Sequence, residues 1–533
     1  MARTYTRRFA LSGFLDDTWK VTPRLTLNLG LRYELAPPIN ERYGRMYNYV
    51  PEFGKIIVAN PGNIAGYDKM VAARGLQSKL APASDVGLPS SLVYTDYTNF
   101  APRFGFAWRP LADNKSVIRG GYGVFYTGTA LDRVQNALMT QFPVTEAGGY
   151  SRLASRPDLM TWDNPFPSAQ ESLSGFTGGG MDIHAPTGYL QSYNLTVERD
   201  LGRGAVLEVG YVGSKGTSLP RTFDWNQPRR TIQSYLNNVS VNNTRPEPLL
   251  GVFRYYASNS NSIYNAGQIQ LRKRGGGGTF YRISYSYAKA IDEASQPSGA
   301  GSGGFSYTGN STALDPDNLR LERGRADYDR RHTVTAAFSW QLPFGRGRRF
   351  LPTSKGVPQA FLGGWQLSGT AMASSGAPIT PSTATVDENL GESVRPNRIG
   401  SGIWATEPAG KRGVDYAWFD KSAFVSVPHC VSVTAGCPAD KYGFLPFAKG
   451  NSGRNILDGP GLFYINTAML KNFSMREGRY FQLRLEAFNI MNHANFRLPN
   501  KNFDTLPGGF ITSVAGTGSG GPRLFQAALK FSF

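Results

Sequence analysis

Few residues in this chain combine the types and spacing that chemistry needs. Four histidines, His184, His332, His429 and His493, are scattered, and only His429 lies beside thiols, in the run from His429 and Cys430 to Cys437. Cys430 and Cys437 are the only cysteines. A metal centre wants a third and fourth ligand at suitable spacing; a local disulfide in an oxidising compartment, pinning the segment 380–461, is the preferred reading. Two pairs of adjacent carboxylates, Asp16-Asp17 and Asp292-Glu293, fall near the ends of extended segments, where a solvated rim is favoured over acid/base work. Gly275 to Gly278 reads as a turn, because no Lys-Ser/Thr pair follows to complete a phosphate cradle. No G-x-S-x-G elbow is present. The expectation is a protein without catalytic residues, metal or cofactor.

The elements that carry these residues are strands. Thirteen segments show alternation or strand-rich composition: 6–20, 24–35, 99–110, 116–127, 189–200, 205–219, 262–273, 279–291, 330–342, 362–379, 462–475, 479–495 and 523–533. In the second, Leu25, Leu27, Leu29, Leu31 and Tyr33 alternate with Thr26, Asn28, Gly30, Arg32 and Glu34, so one face is continuously apolar. Phe481, Leu483, Leu485 and Ala487 repeat the pattern against Gln482, Arg484 and Glu486. An Arg facing hydrocarbon near a bilayer midplane costs about 2–4 kcal/mol. If these strands cross a membrane, Arg32, Glu34, Arg484 and Glu486 must therefore face a polar lumen.

The connections sort by length. Val21–Pro23, Leu111–Lys115, Asp200–Gly204, Arg274–Gly278 and Arg476–Gly478 are tight; 36–98, 128–188, 220–261, 292–329 and 380–461 are long; 343–361 and 496–522 are intermediate. Short turns on one side and long loops on the other characterise an antiparallel transmembrane β-barrel with short periplasmic turns and long extracellular loops. Composition agrees. There are 27 Tyr, 32 Phe, 8 Trp and 62 Gly, a mix that suits interfacial girdles and curved strands. Mean hydropathy is -0.33 and no apolar run reaches the length of a transmembrane helix. The net charge of +19 is compatible with nucleic acid, acidic lipid headgroups or anionic ligands; for a barrel, basic rims account for it and no nucleic-acid partner is expected.

The chain ends on an alternating strand. Phe525, Ala527, Leu529, Phe531 and Phe533 share one face, as a last barrel strand facing lipid would arrange them. An aromatic at an exposed soluble edge would invite unwanted pairing. The terminal Leu529, Phe531 and Phe533 resemble the assembly signal of bacterial outer-membrane proteins. At the other end, Met1 to Asp17 holds no signal-peptide core, because the apolar run after Arg8 is short and soon charged. Either the protein is not exported or Met1 is an internal start, and the strands favour the second.

The run from Phe14 to Glu34 resembles a barrel hairpin of TonB-dependent outer-membrane receptors, especially their Oar-like branch. Asn99 to Trp108, Tyr328 to His332, Gly450 to Asn455 and Ala487 to Phe496 are similar to further landmarks of that branch. The resemblance runs from residue 9 to the last residue. Such receptors have about 22 barrel strands around a plug, preceded in this branch by a small regulatory-like domain and a signal peptide. Against that pattern residues 1–533 read as the C-terminal portion of the barrel, roughly nine strands short, with plug, regulatory-like domain and signal peptide absent. The resemblance implies uptake of a scarce ligand (siderophore, glycan or peptide), location in the bacterial outer membrane, and partners in membrane lipid, lipopolysaccharide and the barrel assembly machinery. TonB would act only through the missing N-terminal part. An unplugged porin-like or adhesin-like barrel is the alternative, and a soluble binder a third class.

Overall fold

The computed structural model describes residues 5–60, 62, 75–127, 138–139, 178–275, 278–295, 313–384, 394–400, 414–474, 479–516 and 520–532. Thirteen long strands pair antiparallel, each with the next in the chain: β1 (Leu11–Thr22), β2 (Leu25–Leu35), β3 (Phe100–Trp108), β4 (Ser116–Tyr126), β5 (Tyr189–Gly202), β6 (Ala205–Asp224), β7 (Phe253–Lys273), β8 (Thr279–Asp292), β9 (His332–Gln341), β10 (Trp365–Ser374), β11 (Leu462–Ser474), β12 (Tyr480–Phe488) and β13 (Leu524–Ser532). Each segment expected from the sequence forms one strand of this wall. Two short strands, Gly178–Met181 and Gly324–Arg325, add to β7 and β8.

The boundaries differ where side-chain pattern gives no warning. β7 starts at Phe253 rather than 262, because Arg254 to Ser260 pair with the end of β6 across a register shift at Leu219; the polar run Asn259-Ser260-Asn261 hid that extension. β12 stops at Phe488 because Asn489 takes a positive φ of 46° and turns the chain. β10 starts at Trp365, after a short helix at Gly356–Leu362. The turn Gly202-Arg203-Gly204 has φ of 82°, 53° and 75°; glycine at both flanks keeps that left-handed run cheap. The Arg476–Gly478 turn, Gly276, Gly277 and Phe533 lie outside the described residues.

Register aligns the apolar residues into continuous rows. Leu29 opposes Phe104, which opposes Tyr122, which opposes Tyr193; Val197 opposes Val209, then Ile269, then Tyr285. These side chains remain exposed or half-exposed, Leu29 at 46%. The largest fully buried side chains lie elsewhere. Tyr47, Phe419, Met46, Ile57, Leu92, Met139, Ile183 and Leu457 all belong to connections on the long-loop side, and only Phe253, at the head of β7, belongs to a wall strand. A wall whose apolar face is open, while its loops carry the cores, is a wall solvated by lipid. No helix among the described residues is long and apolar enough to cross a membrane.

The two end strands differ from the rest. Every residue of β1 and all but two of β13 are exposed, on both faces. Among the described residues no ladder joins β1 to β13.

Candidate functional site

Opposite the apolar rows runs a polar face. Arg32 bonds Glu34 through Nε at 2.6 Å and the Ser12 hydroxyl through Nη2 at 2.9 Å; Arg484 bonds Glu486 at 2.7 Å. Both pairs sit on the side away from Leu31 and Leu485. Mid-wall, Glu198 stands between Arg119 at 3.6 Å and Arg272 at 3.4 Å, three strands contributing one charge each. A groove of about 140 Å³ follows along the same face, lined by Glu208, Gln268, Gln270, Ser284, Ser286, Thr333 and Thr335. Hydroxyls, amides and carboxylates here offer hydrogen bonds to a polar cargo or to a polypeptide filling the lumen.

Above the wall the long connections fold into a cap. In one half, strands Tyr47–Val50, Lys55–Val58 and Leu80–Pro82 form a small sheet over a cluster of Ile39, Met46, Val50, Ile57, Leu92, Met139 and Ile183. Asn48 is buried and fully employed: its amide donates to the carbonyls of Leu92 and Met181, and its oxygen accepts from Met181 N. In the other half Ile379, Phe419, Phe424, Leu457 and Phe503 pack together.

A buried ionic knot ties connections 293–331 and 375–461 to the top of β8. Arg454 bonds the Asp292 carboxylate and backbone carbonyl; both side chains are essentially buried. Arg325 bridges Asp329 at 2.8 Å and Asp458 at 2.5 Å, and Asn455 donates to Arg325 O and Asp327 at 2.7 Å each. Glu322 and Arg395 meet at 2.6 Å, and Glu293 reaches Arg221. Burial pushes the Arg454 guanidinium down to about 10, with Arg221 nearby adding to the effect. Burial also raises Glu322 and lowers Arg395 despite their mutual attraction, so desolvation outweighs pairing there.

This corrects the reading of the carboxylate pairs. Asp292 is buried and Glu293 half-buried, each paired with an arginine rather than forming a solvated rim, because Arg454 and Arg221 arrive from distant sequence. Asp16 and Asp17 lie mid-strand in β1, Asp17 opposite Leu29 on the apolar side, rather than at a strand end. Sequence reasoning missed Arg454 and Asn455 as joints, although both sit in the landmark Gly450 to Asn455, and Asp329 sits in Tyr328 to His332. A third landmark, Ala487 to Phe496, works alike: Asn495 exchanges hydrogen bonds with Phe463 N and O and donates to Gly520 O, and Asn489 donates to Gly521 O.

Cys430 and Cys437 form a disulfide, Cα atoms 4.2 Å apart, around a turn in which Gly436 N donates to Ser432 O. The described residues contain no group of three His, Cys, Asp or Glu arranged for a metal. Cys430→Ser should cost on the order of 2 kcal/mol of local order, seen as faster proteolysis within 430–437 with barrel assembly unchanged; equal proteolysis rates would show the bridge to be idle.

Leu529 and Phe531 lie on the outward side of β13, where Phe531 and Phe481 rings stand 4.8 Å apart. They are 68% and 44% exposed.

No curated protein matches the chain. Solved structures similar to it include the FrpB iron transporter from Neisseria meningitidis (9% identity, 99% of this chain and 46% of that chain, TM-score 0.40). The outer membrane transporter YddB from Escherichia coli (11%, 98% and 44%, 0.43) and the siderophore receptor PiuA from Acinetobacter baumannii (11%, 98% and 43%, 0.40) are others. The chain spans less than half the length of each. The family described as outer membrane beta barrel domain matches residues 2–526. With its thirteen-strand wall, open apolar face and polar inner face, the chain belongs to the outer membrane β-barrel domain family and is a protein of the bacterial outer membrane.

Proposed function

We propose that this chain is the C-terminal part of a receptor barrel for TonB-dependent uptake of a scarce ligand, a siderophore, glycan or peptide. The carrying observation is the cap. Long connections carry their own apolar clusters and the Arg454–Asp292 knot locks two of them to the wall, which makes a preorganised outer surface, and preorganisation is what tight capture of a dilute ligand rewards. The open sides of β1 and β13 favour further strands on both edges, and the paired lumen charges Arg32, Glu34, Arg484 and Glu486 suit contact with a plug. TonB would engage a part outside the 533 residues. Leu529, Phe531 and Phe533 would address the barrel assembly machinery, and basic rim residues the lipopolysaccharide.

Cells producing the protein from its natural gene are expected to accumulate one of three labelled probes, a ferric siderophore, an oligosaccharide or an oligopeptide, and to lose that accumulation without TonB. Uptake that survives loss of TonB would favour the unplugged porin-like reading instead.

A further inference from the structure

The connection between β9 and β10, residues 342–364, is the exception on the short-turn side, and it folds outward. Two contacts fix its direction. The Trp365 indole donates from Nε1 to Phe361 O at 2.7 Å. Lys471, opposite Trp365 and Leu483 on the apolar side of the wall, donates from Nζ to Gly363 O at 2.7 Å and Phe361 O at 3.2 Å. A buried ammonium on a lipid-facing row is costly unless satisfied; here the end of the Gly356–Leu362 helix supplies the acceptors. The helix therefore lies against the outside of the wall and not beneath the lumen. Gln359 holds the turn together, its Oε1 accepting from Arg346 N at 2.7 Å and Ser354 Oγ at 2.8 Å.

What this segment presents is apolar and basic. Val357, Phe361 and Leu362 are 69%, 71% and 52% exposed. Arg346, Arg348, Arg349 and Lys355 accompany them, and no Asp or Glu occurs between 342 and 364. Apolar side chains with an uncompensated basic set, continuous with a lipid-facing wall, match an interfacial segment lying in headgroups.

We propose that residues 342–364 form a membrane-interface anchor, in which Val357, Phe361 and Leu362 enter the periplasmic leaflet while the four cations meet anionic phospholipid headgroups. The inference rests on the barrel wall and on no particular cargo. It is tested on protein taken from outer membranes into vesicles of phosphatidylethanolamine and phosphatidylglycerol. Because Cys430 and Cys437 are bonded to each other, a single new thiol carries an environment-sensitive fluorophore at Leu362→Cys, Leu195→Cys or Tyr97→Cys. The Leu195 label should be quenched by deep spin-labelled lipid, and the Tyr97 label, on the cap side, by aqueous iodide. Failure of either indicts the wall itself rather than the anchor. With those controls in place, the Leu362 label should be blue-shifted and quenched by headgroup-level spin-labelled lipid. Iodide quenching without lipid quenching would overturn the proposal, and shielding from both would point to a protein occupant, which overturns it equally. Replacing Arg346, Arg348 and Arg349 by Gln should move the label toward water in these vesicles and not in phosphatidylcholine; no difference would remove the role of charge.

Discussion

Leu195→Arg is expected to block assembly into the outer membrane, while Asn194→Arg, one residue away, is expected to be tolerated. Both positions lie mid-strand in β5, where Leu195 opposes Tyr211 and Gly120, and Asn194 opposes Val212 and Gly121. They point to opposite faces because side chains alternate along a strand. An Arg toward hydrocarbon near the midplane costs about 2–4 kcal/mol, whereas one toward a polar lumen costs little. Heat-modifiable mobility of the protein in isolated outer membranes reads the result directly. Equal assembly of the two variants would mean that the apolar rows do not face lipid.

Arg454→Ala should cost about 3–5 kcal/mol in the cap, because it strands the Asp292 carboxylate in a buried site. The wall would survive, since its ladders do not depend on that pair. Limited proteolysis on intact cells should then cut within 293–331 and 375–461, and urea should loosen these connections before the barrel. The double replacement Arg454→Leu with Asp292→Leu should recover most of the loss, because two apolar groups need no partner. Protease resistance of Arg454→Ala equal to that of the unaltered protein would show that the knot holds nothing.

The wall was legible and the cap was not, for a physical reason. Strand period writes itself into every second residue when one face meets lipid, so the run from Leu25 to Tyr33 declared both the strand and its orientation. Sorting of connection lengths then gave the order of strands. Nothing comparable marks the cap. Its strands at 47–50 and 55–58 are buried on both faces and show no alternation, and Arg454 finds Asp292 across 162 positions. Asp292 looked like a rim carboxylate because a sequence shows neighbours along the chain and hides those across it. The landmark residues carried the missing signal. Asp329, Arg454, Asn455, Asn489 and Asn495 lie in segments recognised only as scaffold; Arg454 and Asn455 join two connections, and Asp329, Asn489 and Asn495 each tie a connection to a wall strand.

β6 and β7 run to 20 and 21 residues, whereas crossing the membrane takes about ten. At about 3.3 Å per residue along strands tilted about 40°, the surplus lifts one flank of the mouth roughly 25 Å above the hydrocarbon boundary. A phage tail or an antibody arriving from outside would strike this raised flank before any other part of the wall. Escape from such attackers by surface substitution is restricted here. Between Phe253 and Ser262 only Asn259 is exposed, and Tyr256 and Ala257 belong to buried clusters of the cap, so nearly every change that altered the outline would also disturb packing beneath it.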